Sequence, residues 1–263
     1  IGSCCGFYQP TQDLVDAFQT DANGLPLLDT YQNTHVANDY HVASADPFTL
    51  HTGNLDPRLD YTAGRRGIDY NGWGPAAGKD WIRASFDDIS GPYLSKKNMY
   101  HAGDDANRGT GGWGEQRSGI NYHFMRYSDV LLMAAEAAVE AGNTSKALGY
   151  VNQVRNRAKG STPPDSQPTY VIEPYTSFAS ADYARKAVRF ERRLELGMEG
   201  HRLFDLRRWG NAGSVMNTYF AKEAEVVTSF ARGQSYQGKH DLFPIPIVAI
   251  DQSQGVITQN SGY

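Results

Sequence analysis

The sequence predicts a mainly α-helical protein in which a helical scaffold carries a long, irregular, loop-rich ligand face. Three observations lead there. Apolar and small residues fall on helical stripes at 127–141 and again at 144–158, joined by a tight turn. A third stripe runs over 180–198. Residues 25–120 show no sustained periodicity, yet residues 64–119 hold 12 of the 27 glycines and three of the four tryptophans. Irregular stretches of that length are uncommon in compact domains unless they are functional or disordered. So many aromatic rings argue for ordered loops held against a scaffold, where binding residues concentrate.

The elements follow in chain order. At 10–20 a short helix is predicted. Pro10 and Thr11 open it, Asp13 sits in its first turn, and Leu14, Val15 and Phe18 form its apolar side. Asp21-Ala22-Asn23-Gly24 stops it. In the hairpin, Tyr127, Leu131, Ala134, Ala135 and Ala138 share one face. Gly142-Asn143 ends that helix, and Asn143 or Thr144 can cap the next, with Ala147, Leu148, Val151, Val154 and Ala158 inside. The alanines around an Ala-Gly-Asn turn, followed by Lys146-Ala147-Leu148, resemble one tetratricopeptide repeat. A single repeat cannot bury both its faces, so it must stack on other helices. Residues 159–180 are a connector rich in Pro, Ser and Thr. Over 180–198, Ala184, Val188, Glu191, Arg192 and Glu195 make a mixed stripe. Gly200 interrupts it, 201–209 reads as another turn or two of helix, and 214–227 as a further one. Pro244 and Pro246 make 242–250 extended. The whole chain reads as a single domain, with a loop-rich, ligand-facing part at 1–121 and a helical scaffold and tail at 122–263.

Composition narrows the function. A chain of 263 residues buries a sizeable core. The 25 Lys and Arg against 29 Asp and Glu leave a net charge of −4, which excludes a strongly basic nucleic-acid binder. The 16 tyrosines outnumber the 11 phenylalanines and 4 tryptophans together. Tyrosine pairs an apolar ring with a polar tip, so the bias favours half-wet binding surfaces over pure core. No apolar run approaches the roughly 20 residues of a membrane span. Cys4 and Cys5 are adjacent, which excludes a disulfide framework and a zinc site built on cysteine pairs. Ile1-Gly2-Ser3-Cys4 looks like the end of a lipoprotein signal, but the charged and apolar regions of such a signal are not in the sequence.

Catalytic signatures are missing. There is no Gly-x-Ser-x-Gly elbow and no His-Glu-x-x-His helix. Gly109-Thr110-Gly111-Gly112-Trp113-Gly114 lacks the Lys-Ser/Thr of a phosphate loop. His35 and His41 are close but have no ordered framework for a metal. Asp80, Asp87, Asp88, Asp104, Asp105 and Glu115 lie in the aromatic loops. Two of them flanking a sugar would suffice for glycoside hydrolysis, and a structural calcium ion is conceivable without EF-hand spacing. The plainer reading is solvated loop charge, so no cofactor and no metal are expected. Residues 185–208 hold eight Lys/Arg and four Asp/Glu. Glu191, Glu195, Glu199 and Asp205 interleave with Arg192, Arg202 and Arg208 at helical spacing, which suits internal ion pairs.

The loop aromatics are the best functional signal. Tyr70, Trp73, Trp81, Tyr93, Tyr100 and Trp113 sit among glycines and polar residues. A sugar ring offers an apolar face of C–H groups and a rim of hydroxyls. Flat aromatic faces pack on the first, and Asp, Asn and Arg hydrogen-bond the second.

Several separate segments resemble the SusD/RagB family of outer-membrane nutrient-binding lipoproteins. Pro10-Thr11-Gln12-Asp13-Leu14-Val15-Asp16-Ala17-Phe18 is similar to its Pro-Thr-x-x-Leu-x-x-x-Phe segment, and Asp56-Pro57-Arg58-Leu59 to its Asp-Pro-Arg-Leu turn. Arg126-Tyr127-Ser128-Asp129-Val130-Leu131 resembles the start of its late repeat helix. The most specific block is Glu191-Arg192-Arg193-Leu194-Glu195-Leu196, then Glu199-Gly200-His201-Arg202, then Asp205-Leu206-Arg207-Arg208-Trp209-Gly210. Pro244-Ile245-Pro246 and Gln259-Asn260-Ser261-Gly262-Tyr263 resemble its carboxyl end. The marks correspond to the carboxyl-terminal half of the family pattern.

The resemblance implies a non-catalytic, surface-exposed outer-membrane lipoprotein. It would capture oligosaccharides, or in some members peptides, and pass them to a SusC-like TonB-dependent transporter. Its lipid anchor would lie in an amino-terminal part beyond this sequence. A peptide-binding helical-repeat protein and, further off, a glycoside hydrolase are the alternatives. The loops between Asp56 and Arg126 correspond to part of the family's ligand face. Trp73, Trp81 and Tyr70 are the expected stacking platforms, with Asn71, Asp80 and Arg83 as hydroxyl partners. Tyr100 and Trp113 come second.

Overall fold

Thr11 starts the first helix by accepting a hydrogen bond from the Leu14 N–H on its Oγ1, at 3.1 Å. The computed structural model describes residues 8–82, 91–107, 109, 118–227 and 233–263. Two compact units make up the chain, Ile1–Gly200 and His201–Tyr263.

Helix α1, Gln12–Asp16, is shorter than the predicted stretch. Gln19 and Thr20 leave it to pair as extended backbone with Leu55 and Pro26. Helix α2, Arg58–Thr62, follows the Asp-Pro pair, whose Asp56 accepts the Arg58 N–H at 3.0 Å. Strand β1, Ala63–Gly64, then pairs antiparallel with β2, Leu94–Ser95, with Ala63 opposite Ser95. Elsewhere the described residues of the loop-rich region form turns, isolated β-bridges such as Arg66 with Ala76, and single-turn 3-10 helices.

The scaffold is three helices: α3, Tyr127–Glu140; α4, Thr144–Lys159; and α5, Ala181–Glu195. The α3–α4 turn closes as the sequence predicts. Asn143 N–H bonds Ala138 O at 2.8 Å and Gly142 N–H bonds Val139 O at 2.9 Å, with Gly142 at φ +77°. This is a Schellman closure, which needs a residue free to adopt the left-handed region. The Asn143 side chain caps α4 by accepting from Lys146 N–H at 3.0 Å. Ser180 caps α5 in the same way through Tyr183 N–H.

Two apolar clusters meet on α5. Ala184, Ala187 and Val188 pack with Leu131, Leu132, Ala135, Val151 and Val154 of the hairpin. Further along, Phe190 and Leu194 pack with Val15, Phe18, Leu55 and Leu59. One helix thus ties the loop-rich face to the scaffold. Leu132 is fully buried in the first cluster. Leu132→Ala should therefore cost about 2–5 kcal/mol, read as a lower urea midpoint at unchanged slope.

The second unit holds α6, Arg202–Arg208; α7, Ala212–Glu223; and α8, Ile247–Gln252. Helix α8 corrects the expectation that 242–250 is extended throughout. Pro246 is extended at φ −55°, ψ 134° and serves as the N-cap, a position that tolerates its missing N–H. The tail is anchored within this unit. The Gln259 side-chain amide pairs with both backbone groups of Ile245, at 2.8 and 2.9 Å, and Asn260 Nδ2 donates to Phe243 O at 2.7 Å. No described helix is long and apolar enough to cross a membrane.

Candidate functional site

The candidate site is built on an ion-pair network. Arg58, from the Asp-Pro-Arg-Leu turn, is buried, and its guanidinium reaches residues 133 and 137 positions away. Its Nη1 donates to Glu191 at 2.7 Å and Glu195 at 3.0 Å, and its Nη2 to Asp56 at 2.6 Å. Glu191 also accepts from Arg155 Nη1 at 2.8 Å; Glu191 and Arg155 are sealed from water, and Arg58 is buried with its edge at the cleft. The network continues outward. Glu195 accepts from Arg126 Nη1 at 2.9 Å and from Arg157 Nη2 on both oxygens at 2.6 Å. Glu199 accepts from Arg126 Nε and Nη2, both at 2.8 Å, and from Lys97 Nζ at 2.6 Å.

Burial alone would raise the Glu195 pKa, but Arg58, Arg157 and Arg126 outweigh it and hold the carboxyl down at about 2. Burial likewise opposes ionisation of Glu199, and Arg126 and Lys97 bring its pKa below the ordinary value. The pairing is therefore internal, as the sequence predicts, but mostly not along the helix. Arg192 pairs across to Asp129 at 2.7 Å and Arg193 to Asp13 at 2.5 Å, and Arg208–Asp205 is a local pair.

The outer part of this network is the floor of a cleft of about 720 Å³. The cleft lies wholly in the first unit, between α2, the loops at 96–107 and 119–126, and the carboxyl ends of α4 and α5. Two tyrosines give it exposed aromatic surface. Tyr61 is the one residue of α2 that turns outward, 44% exposed, with its hydroxyl donating to Thr162 O. Tyr122 is 56% exposed and stands edge-on to Phe124 at 5.3 Å. Asn98, Asn107 and Asn121 supply amides, and His101 and His123 supply imidazoles. Thr62 Oγ1, buried under the floor, has no hydrogen-bond partner among the described residues.

The predicted binding residues fall in different places. Asn71 lies at the cleft, held at φ +52° with its Nδ2 donating to Lys96 O at 3.2 Å. It alone of the expected set is among the described residues that line the cleft. Trp73 and Tyr100 are brought together beside it, the indole Nε1 donating to Tyr100 O at 3.3 Å, with the indole 39% exposed. Trp81 is half-buried on the 3-10 turn Lys79–Trp81. Asp80 is exposed next to it, its N–H donating to Ser44 Oγ at 2.8 Å. Tyr70 is a correction. It is 1% exposed, so its ring offers no face to a ligand. It packs edge-on against Trp81 at 5.9 Å and donates its hydroxyl to Ser95 O at 2.6 Å, and burial pushes its pKa up to about 12. Gly64 makes room for it: a Cβ there would stand 2.7 Å from Tyr70 Cδ2. Arg83 and Trp113 lie outside the described residues, as do Asp87, Asp88 and Glu115.

Tyr61, Tyr122, Asn98 and Arg157 are cleft residues that sequence reasoning passed over. The excess of tyrosine was the available signal. Among the described residues no group of three His, Cys, Asp or Glu side chains is placed to hold a metal ion.

Comparison with known proteins agrees with this architecture. The family profile described as the SusD family matches residues 1–263. SusD-like protein P2 of Formosa agariphila is 29% identical over 179 residues, covering 66% of this chain and 31% of that protein. SusD-like protein P38 of the same organism is 35% identical over 96 residues, 36% of this chain and 18% of that one. A SusD-like protein from Bacteroides fragilis superposes with a TM-score of 0.59 at 23% identity, over 97% of this chain and 47% of that one. A SusD superfamily protein from Bacteroides vulgatus does so with a TM-score of 0.57 at 20% identity, over 97% and 44%. The chain thus spans under half the length of these relatives. With the profile matched from end to end and the helical scaffold shared, the chain belongs to the SusD family.

Proposed function

We propose that this protein captures oligosaccharides in the cleft between α2 and the 119–126 loop. It would hand them, uncleaved, to a SusC-like TonB-dependent transporter from a lipid-anchored position on the outer-membrane surface. The observation that carries the reading is the lining of the cleft in a SusD-family chain. The faces of Tyr61 and Tyr122 suit the C–H face of a pyranose, and the amides of Asn98, Asn107 and Asn121 suit its hydroxyls. A volume of about 720 Å³ is in the range that accommodates small ligands.

The acid–base state of the floor supports binding without hydrolysis. Glycoside hydrolysis needs a carboxyl that is still protonated near neutral pH to serve as general acid. Glu195 and Glu199 are both locked to cations with their pKa values depressed. Neither of these two carboxyls suits the role of general acid, which favours capture over cleavage.

Single substitutions Tyr61→Ala and Tyr122→Ala should each weaken oligosaccharide binding about tenfold, which corresponds to about 1.4 kcal/mol per ring. Calorimetric titration with a panel of neutral and acidic plant, host and microbial oligosaccharides reads this. Mass analysis of each ligand after overnight incubation should find it intact. Unchanged affinity in both variants would reject the cleft as the site, and shortened ligand would reject capture without cleavage.

A further inference from the structure

We propose that the cleft selects acidic oligosaccharides, with a carboxylate or sulfate on the sugar seated at Arg157 and Lys97. This rests on the cleft being the glycan site. Its basis is an asymmetry of exposure within the ion-pair network. The carboxylates lie underneath: the Glu195 side chain is 2% exposed and that of Glu199 10%. The cations lie on top: the Arg157 side chain is 55% exposed, Arg126 28% and Lys97 20%. A ligand entering the cleft therefore meets N–H donors first.

The hydrogen bonds deepen the asymmetry. Each oxygen of Glu195 and Glu199 already accepts from at least one guanidinium or ammonium group, so neither carboxylate is turned toward an incoming ligand. Arg157 is the opposite case. It commits Nη2 to Glu195, while its Nε and Nη1 have no partner among the described residues. These two N–H groups lie on different edges of a half-exposed guanidinium, so each offers a single charge-assisted hydrogen bond to an oxygen of a carboxylate or sulfate.

The remaining charges do not reverse this. Among the described lining residues five side chains are Arg or Lys and three are Asp or Glu. The third carboxylate, Asp104, stands on the 96–107 loop, where Oδ2 accepts the His101 N–H at 2.8 Å. Lys96 adds positive charge on the same loop, its Nζ donating to Asp69 O at 2.7 Å. The overall chain is acidic, at −4, so the cationic surface of the cleft is a local feature and not a consequence of composition.

Matched ligand pairs test this directly. Tetrasaccharides of β-1,4-, α-1,4- and β-1,3-linked glucose, and the same three oxidised to the uronate at C6, are titrated calorimetrically at 50 and 500 mM NaCl. The expected result is at least tenfold tighter binding of a uronate than of its neutral partner at 50 mM. That preference should shrink severalfold at 500 mM as the charges are screened. Arg157→Gln should reduce the preference to about twofold, and Arg157→Glu should reverse it, with Tm confirming that both variants fold. Equal or tighter binding of the neutral partners would overturn the acidic preference and leave the glycan site standing. Binding of none of the six, nor of any member of the wider oligosaccharide panel, by the folded protein would overturn both.

Discussion

Glu191→Ala is expected to destabilise the protein by about 3–5 kcal/mol, the cost of leaving a buried charge without its partner. The geometry says why. Glu191 is fully buried and holds Arg58 at 2.7 Å and Arg155 at 2.8 Å. Arg58 belongs to the loop-rich face and Arg155 to α4, so one carboxylate joins three parts of the first unit. Without it Arg155 keeps the carbonyls of Glu173 and Gly24 and the face of the Tyr175 ring, none of which carries a full charge. A loss of this size is a large share of the stability of an ordinary domain. Urea unfolding of the purified variant gives the number. A change below about 1 kcal/mol would mean that the network is not closed off from water as described.

Acid is expected to loosen the same network. Glu195 has an ordinary pKa of 4.5 and is held at about 2 in the fold. Between those values the unfolded chain binds the proton and the folded one does not, so stability rises with pH across that window. The contribution, about 3 kcal/mol at roughly 1.4 kcal/mol per pKa unit, is fully present above pH 4.5 and is lost as pH falls toward 2. Glu199 adds in the same direction. Asp16 and Asp39 act the other way, because burial raises their carboxyls above the ordinary value. Comparison with Glu195→Gln separates the two. Tm measured from pH 7 to 2 should fall steeply below pH 4.5 in the parent and less steeply in the variant. Parallel curves would show that Glu195 does not carry the acid response.

The scaffold was legible because its signals are local. Periodicity over 127–158 and the caps at Asn143 and Ser180 each depend on residues within a few positions of one another. The family marks were legible as words but not as a mechanism. Asp-Pro-Arg-Leu and Glu-Arg-Arg-Leu-Glu turn out to be the two halves of one clasp, joined by Arg58, Glu191 and Glu195. A reading in helical spacings looks for partners three or four residues away, whereas these are more than a hundred apart.

The ligand face was less legible for a related reason. Glycine-flanked aromatics read alike in sequence, yet Tyr70 turns into the core because Gly64 opens a space for it, while Tyr61 and Tyr122 stay outside. Which way a loop ring turns is set by what the distant chain leaves unfilled. Lys97 and Arg157 were hidden similarly. Neither lies in a recognisable motif, and their roles follow from where Glu195 and Glu199 come to rest.

A crystal structure of the protein soaked with a tetrasaccharide that binds it in the titration panel tests the central claim most directly. The account predicts sugar density in the cleft, with a pyranose face against Tyr61 or Tyr122 and ring hydroxyls at Asn98, Asn107 or Asn121. Density on another surface, with the cleft filled only by solvent, would contradict it.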